Sequence, residues 1–304
     1  MSAEPPSGGK SGGNGGGNGE ATEPKTRGYG FGDVETVLSV DEVSRQAEEI
    51  AVDRPDRARL LELTGGAPLL AIEGLTAGYG KMKVLHDFDL AVGEGQSLCL
   101  IGPNGAGKST ILHSIFGFTD IFGGRILIGG DEVTAMSPKD KLRRAGVAYI
   151  LQDNSVFPDM TVEENLWLGG YLADSPAAAK AATEKVFAKY GRLAERRAQK
   201  AGTLSGGERR LLEISRALIM EPSVLLVDEP SIGLEPRFID MVFEILDDLQ
   251  RGEGKTIVMV EQNAKKGLEF ADIGYVLVSG QLALAGPGNE LLQDERVGRL
   301  FLGG

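Results

Sequence analysis

The sequence contains very few of the residues that build disulfide-linked or metal-stabilised proteins. Of its 304 residues one is cysteine, two are histidine and one is tryptophan. The single cysteine, Cys99, excludes an internal disulfide and favours a reducing compartment, and its place in an apolar run predicts a small core residue. The scarcity of cysteine and histidine also argues against a metal cluster built from these residues.

Long apolar runs are absent as well. No stretch approaches the roughly 18 apolar residues of a membrane-spanning helix, and the N-terminus lacks the basic and apolar regions of a secretory signal. We therefore expect a cytoplasmic protein without a membrane span of its own. The net charge of −12 argues against a general binder of nucleic acids or anionic membranes. The 41% of apolar residues suffices for a sizeable core.

The first 66 residues differ in composition from the rest of the chain. Eight of the first twenty residues are glycine, and residues 1–28 are predicted to be disordered because they cannot bury enough apolar surface. From Asp33 to about Thr64 the composition changes, and the apolar spacing predicts one amphipathic helix and a second short one around Arg57–Leu63. This extension, 1–66, could dock on the globular part, bind a partner or remain solvated.

Residues 67–304 are predicted to form one α/β domain. Three short alternating runs separated by glycine predict the separate strands of an antiparallel β section, and they are Leu69–Ile72, Leu75–Gly80 and Val84–Val92. Beyond them, buried strands alternate with helices, which predicts the parallel sheet of a P-loop NTPase with helices on both faces. The pattern turns helical at about 153–202, which indicates an inserted helical subdomain, and a hairpin and a final helix at Asn289–Leu302 close the domain.

The strongest motif is Gly102–Ser109, which fits the pattern G-x-x-x-x-G-K-[ST]. It follows the apolar run Ser97–Ile101 and leads into the helical run Thr110–Phe116, which is the order that the pattern requires. Its glycines let backbone N–H groups face a polyphosphate, Lys108 neutralises the terminal phosphates, and the Ser109 hydroxyl can ligate Mg²⁺. A plain glycine turn is the structural alternative, and the complete pattern argues against it. The motif predicts a nucleoside triphosphate site.

Polar side chains follow two further buried strands. Gln152 ends the apolar run 146–151, where it could reach a Mg²⁺ or a water. Asp228 and Glu229 end the run Ser223–Val227. Asp228 is expected to hold Mg²⁺ through water, and Glu229 to orient or deprotonate an attacking water. Adjacent carboxylates repel each other unless a cation or a solvated cleft is near, which favours a functional site.

For three features, the residues alone leave two interpretations open. Ser205–Glu208 precedes the helical run 209–220 and is either a second anion site or a simple helix cap. Tyr79 either stacks on a purine base or packs at a strand end. The basic run 192–200 is either a solvated face or a partner contact.

Taken in chain order, the phosphate loop, Gln152, Leu204–Glu208 and Leu225–Pro230 resemble the nucleotide-binding subunits of ATP-binding cassette (ABC) transporters, over about residues 68–304. Four further segments are similar to the LivF-type subunits of branched-chain amino-acid and related importers. These segments are Ser231–Leu234, Val260–Ala264, Ala271–Leu277 and Phe301–Gly304.

The resemblance implies two chains that face each other head to tail, with ATP between the phosphate loop of one chain and Ser205–Gly207 of the other. It makes Tyr79 the adenine-stacking ring, Gln152 a contact to Mg²⁺ and between domains, and Glu229 the catalytic carboxylate. The helical subdomain then contacts cytoplasmic loops of a membrane permease.

Two positions depart from the wider superfamily. Gln262 stands where most relatives carry a histidine, and a neutral amide can donate a hydrogen bond but cannot carry charge. The only histidines, His86 and His113, lie far upstream. LivF-type chains resemble this one in having Glu-Gln-Asn there, so Gln262 is interpreted as a family variant. Glu235 replaces the usual aspartate, and its extra methylene puts the usual cross-dimer hydrogen bond in question.

The predicted site thus has three groups of residues. The catalytic residues are Glu229, Lys108 and Gln262. The metal ligands are Ser109, Gln152 and Asp228. The ATP-binding residues lie in loops or at element ends, and they are Tyr79, Gly102, Asn104, Gly105, Gly107, Lys108, Ser109, Thr110, Gln152, Ser205, Gly206, Gly207, Glu208 and Asp228.

We therefore expect an ATPase subunit of an importer, peripheral to the cytoplasmic face of the membrane through permease subunits. A second ABC ATPase, identical or different, and indirectly a periplasmic or extracellular solute-binding protein would be its partners, with no nucleic acid. The resemblance favours branched-chain or other hydrophobic amino acids as solute, with urea or amides as the alternative. A non-transport ABC ATPase and a regulatory module remain rival hypotheses, whereas a phosphate-loop kinase would leave Leu204–Glu208 without a role.

Overall fold

The computed structural model describes residues 54–152 and 155–302. Their strands form two sheets. Strands β1 Pro68–Tyr79, β2 Met82–Gly93, β4 Asp120–Ile128 and β5 Asp131–Glu132 make an antiparallel sheet in the order β2-β1-β4-β5. Strands β3 Ser97–Ile101, β6 Val147–Ile150, β7 Val224–Asp228, β8 Thr256–Val260, β9 Ile273–Val278 and β10 Gln281–Pro287 make a sheet in the order β10-β9-β3-β8-β7-β6, in which only β10 is antiparallel to its neighbour.

Helices connect and cover the strands. They are α1 Arg57–Leu63, α2 Lys108–Phe116, α3 Pro138–Arg143, α4 Val162–Gly169, α5 Pro176–Lys189, α6 Gly191–Glu195, α7 Gly206–Leu218, α8 Pro236–Asp247, α9 Ala264–Phe270, α10 Gly288–Leu291 and α11 Glu295–Val297. A 3₁₀ turn covers Ala201–Thr203, and π-helical turns cover Asp248–Gly252 and Gly298–Leu302. Across the part of the chain that the structure describes, none of these helices has the length and apolarity to cross a membrane.

The central strands of the six-stranded sheet are buried on both faces. Every residue of β3, β7 and β8 is buried, which explains why their sequences are continuous apolar runs rather than alternating ones. Leu100 belongs to the core shared with the antiparallel sheet and α2, whereas its neighbour Cys99 belongs to the core beneath α7, α8 and α9. This arrangement confirms the predicted α/β fold with an antiparallel section, and Cys99 is the predicted core residue.

The parallel register brings several strand ends to one edge. Asp228 at the end of β7 lies opposite Val260 of β8, and Val260 lies opposite Leu100 of β3. The carboxyl ends of parallel strands form the ligand-binding edge of such sheets. The phosphate loop, Gln152 and Glu229 therefore emerge on the same side of the sheet.

Helices α4 to α6 and the turn at 201–203 form a helical block, 162–203, with an apolar cluster of its own. Leu166, Phe187 and Leu193 pack there with Leu212 of α7. The block is inserted between β6 and β7, within the region where the sequence predicts a helical subdomain. The boundaries 153–202, and the division of the chain at residue 66, stay predictions.

Two details of the predicted secondary structure are wrong. The runs around Leu69–Ile72 and Leu75–Gly80 are not separate strands, because a register shift between Ile72 and Leu75 absorbs the glycine between them within β1. The prediction of a single final helix is wrong as well. Helix α10 ends at Leu291, and the Asp294 side chain caps a new helix, α11, by accepting a hydrogen bond from the backbone N–H of Arg296.

The predicted short helix at Arg57–Leu63 is present as α1, capped by Asp56. The predicted disorder of residues 1–28 and the longer helix from Asp33 lie outside the residues that the structure describes.

Candidate nucleotide site

The phosphate loop, Gly102–Ser109, leaves β3 and turns into α2. A Cβ on Gly102 would lie 2.4 Å from the carbonyl oxygen of Leu277, so only glycine fits there. Gly107 caps α2 in the left-handed region (φ 96°), and no side-chain hydrogen bond caps the helix start. Asn104 and Gly105 are exposed at the tip of the loop. The loop therefore offers the open backbone cradle at a helix N-terminus that binds phosphates.

Helix α2 begins two residues earlier than the predicted helical run, so Lys108 and Ser109 lie in its first turn and Thr110 is buried behind them. The Lys108 ammonium donates to the carbonyl oxygens of Gly102 (2.8 Å) and Pro103 (3.0 Å). Burial lowers the pKa of Lys108, and the negative charges of Glu229 and Asp228 oppose that shift. The cation is thus held inside the loop where a polyphosphate would bind.

Asp228 accepts a hydrogen bond on each of its carboxylate oxygens. It is only 5% exposed, and its Oδ1 accepts a hydrogen bond from the Ser109 hydroxyl at 3.1 Å. Its Oδ2 accepts one from the Tyr149 hydroxyl at 2.7 Å. Burial, followed by the negative charge of Asp228, raises the pKa of Tyr149, so its hydroxyl stays protonated and donates. The structure thus brings the predicted metal ligands Ser109 and Asp228 together.

Glu229 and Gln152 are also brought together. The Gln152 amide Nε2 donates to Glu229 Oε2 at 2.8 Å. Burial, followed by the charge of neighbouring Asp228, raises the pKa of Glu229. Its backbone lies in the left-handed region (φ 42°), where a residue with a side chain is strained, and its N–H donates to the carbonyl oxygen of Val260 at 2.8 Å. Strain of this kind is typical of functional sites.

The residues fit a bound Mg²⁺. Ser109 and Asp228 offer hard oxygen ligands, and Gln152 adds an amide oxygen at the same edge. Two ligands at right angles around one octahedral Mg²⁺ lie about 3 Å apart, which agrees with the 3.1 Å between Ser109 Oγ and Asp228 Oδ1. Within residues 54–152 and 155–302, no group of three or more His, Cys, Asp or Glu side chains could hold a metal. The protein thus supplies a partial ligand set, as in sites that share Mg²⁺ with phosphates.

The end of β8 carries Glu261 and the exposed Gln262. Glu261 is 2% exposed and accepts hydrogen bonds from the Ser231 hydroxyl at 2.8 Å and the Asn263 backbone at 2.8 Å. Burial raises the pKa of Glu261, and these hydrogen bonds oppose the shift. Glu261 therefore fixes the loop after Glu229 to the segment that presents Gln262.

A buried ion pair braces the site from α7. Arg210 Nη1 contacts Glu213 Oε2 at 2.9 Å, with both side chains about 5% exposed or less. The same guanidinium donates to the carbonyl oxygen of Leu151 at 2.7 Å and approaches that of Asp228 at 3.4 Å. Because a buried charge needs hydrogen-bonded partners, the pair fixes the strand ends that carry Gln152 and Asp228.

Tyr79 is half exposed at the end of β1, and its hydroxyl is hydrogen-bonded to Nδ1 of His113 on α2. Their rings meet edge to face at 6.1 Å, and His113 meets Tyr149 in the same way at 5.7 Å. Burial lowers the pKa of His113, and the charge of Asp228 opposes this. One side of the Tyr79 side chain is therefore packed against His113, while the rest of the ring is exposed surface that a nucleotide base could cover.

The Ser-Gly-Gly motif is held by its own helix. Ser205 and Glu208 form a reciprocal capping box at the start of α7, and Glu208 also pairs with Arg196. Ser205 and Gly206 are exposed, whereas a Cβ on Gly207 would lie 2.2 Å from the Phe238 ring. The structure thus confirms that Ser205 caps the helix, and its role in a second anion site stays a prediction.

Sequence reasoning missed four contributors, namely Tyr149, His113, Arg210 and Glu213. The spacing of Arg210 and Glu213, three residues apart on the buried face of α7, was a signal that could have revealed the ion pair. Nothing local marks Tyr149 or His113, because their partners lie 79 and 34 residues away.

The comparisons with known proteins agree with this geometry. Residues 85–232 match the family model described as ABC transporter. The chain is 41% identical to the high-affinity branched-chain amino acid transport ATP-binding protein BraG of Pseudomonas aeruginosa, covering 78% of this chain and 100% of that protein. It is 38% identical to a probable branched-chain amino acid transport ATP-binding protein, LivF, of Archaeoglobus fulgidus, covering 75% and 96%.

Solved structures give the same result. A nucleotide-free ATP-binding cassette from an ABC transporter matches with a TM-score of 0.69 and 28% identity, covering 77% of this chain and 98% of that one. An ATP-binding cassette of an ABC transporter in its ADP conformation matches with a TM-score of 0.68 and 29% identity, covering 78% and 99%. With its phosphate loop, strand-end carboxylates and capped Ser-Gly-Gly helix in the same chain order, this protein belongs to the ABC transporter ATP-binding family.

Proposed function

We propose that this chain is the ATP-hydrolysing subunit that powers an ABC importer of branched-chain amino acids. The observation that carries the proposal is the 41% identity to BraG over the whole length of that relative. Identity to the lipopolysaccharide export protein LptB of Haemophilus influenzae is lower, at 30% over a similar span. We therefore infer the solute from the more similar relatives, which are named as branched-chain amino acid transport proteins.

In the proposed mechanism, the phosphate loop and Lys108 bind the phosphates of ATP. Ser109 and Asp228 hold Mg²⁺, which neutralises charge on the phosphates when bound. Glu229 orients and deprotonates the attacking water, and Gln152 holds the Glu229 carboxylate until that water binds. The exposed Gln262 donates a hydrogen bond to the terminal phosphate in place of a histidine. Tyr79 stacks on the adenine.

A second ATPase chain, identical or different, completes each site in this proposal. Ser205 and Gly206 are exposed, and Ser205 is hydrogen-bonded to Glu208 in the capping box, while Arg196 pairs with Glu208. Such a helix start is ready to bind an anion that another chain presents. Each chain then supplies the phosphate loop of one site and the Ser-Gly-Gly motif of the other.

The permease is proposed to dock in a groove between β6 and the helical block. The groove holds about 560 Å³ and is lined mainly by apolar side chains, among them Leu151, Phe157, Leu168, Tyr171 and Met220. Tyr171 is 84% exposed, which is unusual for an aromatic ring unless a partner protein covers it. Because Leu151 directly precedes Gln152, a helix or loop that enters the groove presses on the residue that bonds Glu229.

Through that contact the chain would lie at the cytoplasmic face of the membrane without crossing it. A solute-binding protein on the other side would act on this chain only through the permease. ATP would close the two ATPase chains, closure would move the helical blocks, and hydrolysis would reopen them.

The test is reconstitution of the chain in vesicles loaded with ATP, together with its permease subunits, its partner ATPase chain and its solute-binding protein. We expect ATP-dependent uptake of radiolabelled leucine, little uptake of urea, and loss of uptake with Glu229→Gln. Urea uptake in place of leucine uptake would overturn the solute. Leucine uptake that survives Glu229→Gln would overturn the mechanism.

A further inference from the structure

Tyr149 sits at the end of β6 in a cluster of rings from the carboxyl end of α2. The Phe116 ring stacks on it with centroids 5.6 Å apart and planes inclined by 30°. His113 and Phe118 meet it edge to face at 5.7 Å and 6.0 Å. These three contacts fix the plane of the ring, and with it the direction of the hydroxyl.

That hydroxyl is aimed at one oxygen of Asp228. It donates to Oδ2 at 2.7 Å, while the Ser109 hydroxyl donates to Oδ1 at 3.1 Å. With a donor on each oxygen, the Asp228 carboxylate cannot turn without breaking a hydrogen bond. Of these two donors, only Ser109 is a proposed Mg²⁺ ligand. Tyr149 is therefore the donor that stays hydrogen-bonded to Asp228 when Ser109 turns to a metal ion.

We propose that Tyr149 is a positioning residue that holds Asp228 in the orientation that binds Mg²⁺–nucleotide. The inference rests on the proposed nucleotide site. Packing alone does not require the hydroxyl, because phenylalanine would fill the same space among the rings. A buried hydroxyl costs free energy unless it has a partner, and here the partner is the predicted metal ligand. Hydrogen-bond donors behind a metal ligand orient it and raise metal affinity.

The experiment uses the full-length chain and a fluorescent, non-hydrolysable ATP analogue. Its binding is measured first in EDTA and then during a titration with MgCl₂, for the wild type and for Tyr149→Phe. Loss of a partner behind a metal ligand typically weakens metal binding by about tenfold or more. We therefore expect the Mg²⁺ concentration for half-maximal binding to rise about tenfold, with affinity in EDTA unchanged.

The matched control is Tyr190→Phe, which removes a hydroxyl from a tyrosine packed in the helical block. It should leave the Mg²⁺ midpoint unchanged. A structural defect in Tyr149→Phe would weaken binding in EDTA and in Mg²⁺ alike and would lower the melting temperature, which would overturn the inference. An unchanged Mg²⁺ midpoint would overturn it too.

A double-mutant cycle tests whether Tyr149 acts through Asp228. In the Asp228→Asn background, Tyr149→Phe should shift the Mg²⁺ midpoint no further, whereas an additional tenfold shift would refute the positioning role. Lys108→Met separates this result from failure of the site itself. If the wild type does not bind the analogue, or Lys108→Met binds it as tightly, the proposed nucleotide site is wrong irrespective of Tyr149.

Discussion

The phosphate-loop side and the Ser-Gly-Gly side of this chain satisfy their polar groups in opposite ways. On the phosphate-loop side, Lys108 and Asp228 are buried. Lys108 donates to carbonyls of its own loop, and Asp228 accepts hydrogen bonds from Ser109 and Tyr149. On the other side, Ser205 is exposed and bonded within its own helix cap. The first side is organised for its ligand within one chain, whereas the second has open surface for a ligand that comes from elsewhere.

This difference has an energetic basis. Buried polar groups are costly unless they are paired, so the phosphate-loop side must keep its network intact even when empty. A capping box at an exposed helix start is satisfied at little cost and stays accessible to water. Substitutions that break the buried network should therefore change nucleotide binding, whereas substitutions on the Ser-Gly-Gly side should change hydrolysis alone.

The largest effect is expected for Glu229→Gln. The amide can still accept the hydrogen bond of Gln152 but cannot take a proton, so ATP hydrolysis should fall by about 10²- to 10⁴-fold. ATP binding should be preserved. The measurement is steady-state ATPase activity beside equilibrium nucleotide binding, and a variant that hydrolyses at the wild-type rate would disprove the role of Glu229.

The raised pKa of Glu229 adds a pH prediction. The proposed base works only when it is ionised. Because burial and the charge of Asp228 raise the pKa of Glu229, activity should fall on acidification at a higher pH than an ordinary glutamate would give. A pH profile of kcat/KM checks this. An activity that stays flat down to the pH at which a free glutamate titrates would contradict it.

Lys108→Met should weaken nucleotide binding itself. Loss of a charged hydrogen bond to phosphate is expected to reduce affinity by about tenfold to a hundredfold. Lys141→Met is the matched control, because Lys141 is a second buried lysine that bonds a carbonyl of α2, that of Ser114, away from the loop. Equal losses in the two variants, measured by calorimetry, would mean that the effect is structural.

Ser205→Ala should reduce hydrolysis by about tenfold while the isolated chain binds ATP normally, since in the proposed dimer the hydroxyl contacts the nucleotide of the other chain. The loss of its helix cap also costs about 1 kcal/mol of stability. Thr161→Ala removes the other capping box, at α4, and controls for that cost. If both variants lose hydrolysis equally, the Ser205 hydroxyl has no role beyond capping.

The smallest effect is expected for Gln262→Ala. Its exposed amide offers one neutral hydrogen bond, worth roughly 1 kcal/mol, which corresponds to about a fivefold loss of ATPase activity. A loss equal to that of Glu229→Gln would show that Gln262 is as important as the base.

The sequence predicted where the functional groups lie, because parallel strands end at one edge and each motif follows such a strand. Ser109 and Asp228 are 119 residues apart, yet the pattern places both at that edge. It also predicted α1 and the closing hairpin, because local spacing and turns specify them.

Other contacts could not be predicted, because they depend on side-chain packing between elements. The Tyr149 hydroxyl reaches Asp228 only once β6 and β7 pair and the rings of α2 fix its plane. The break between α10 and α11 was missed for a different reason, since the Asp294 cap competes locally with continuation of the helix.

The most direct test is the ATPase rate of the monomeric chain. Binding of one ATP per chain is measured at a concentration where light scattering shows a monomer, and hydrolysis is followed in the same sample. If the site needs a second chain, the monomer binds ATP with little hydrolysis, and the specific activity rises as ATPase partner chains are added. Full hydrolysis by the monomer, with a specific activity independent of concentration, would contradict the account.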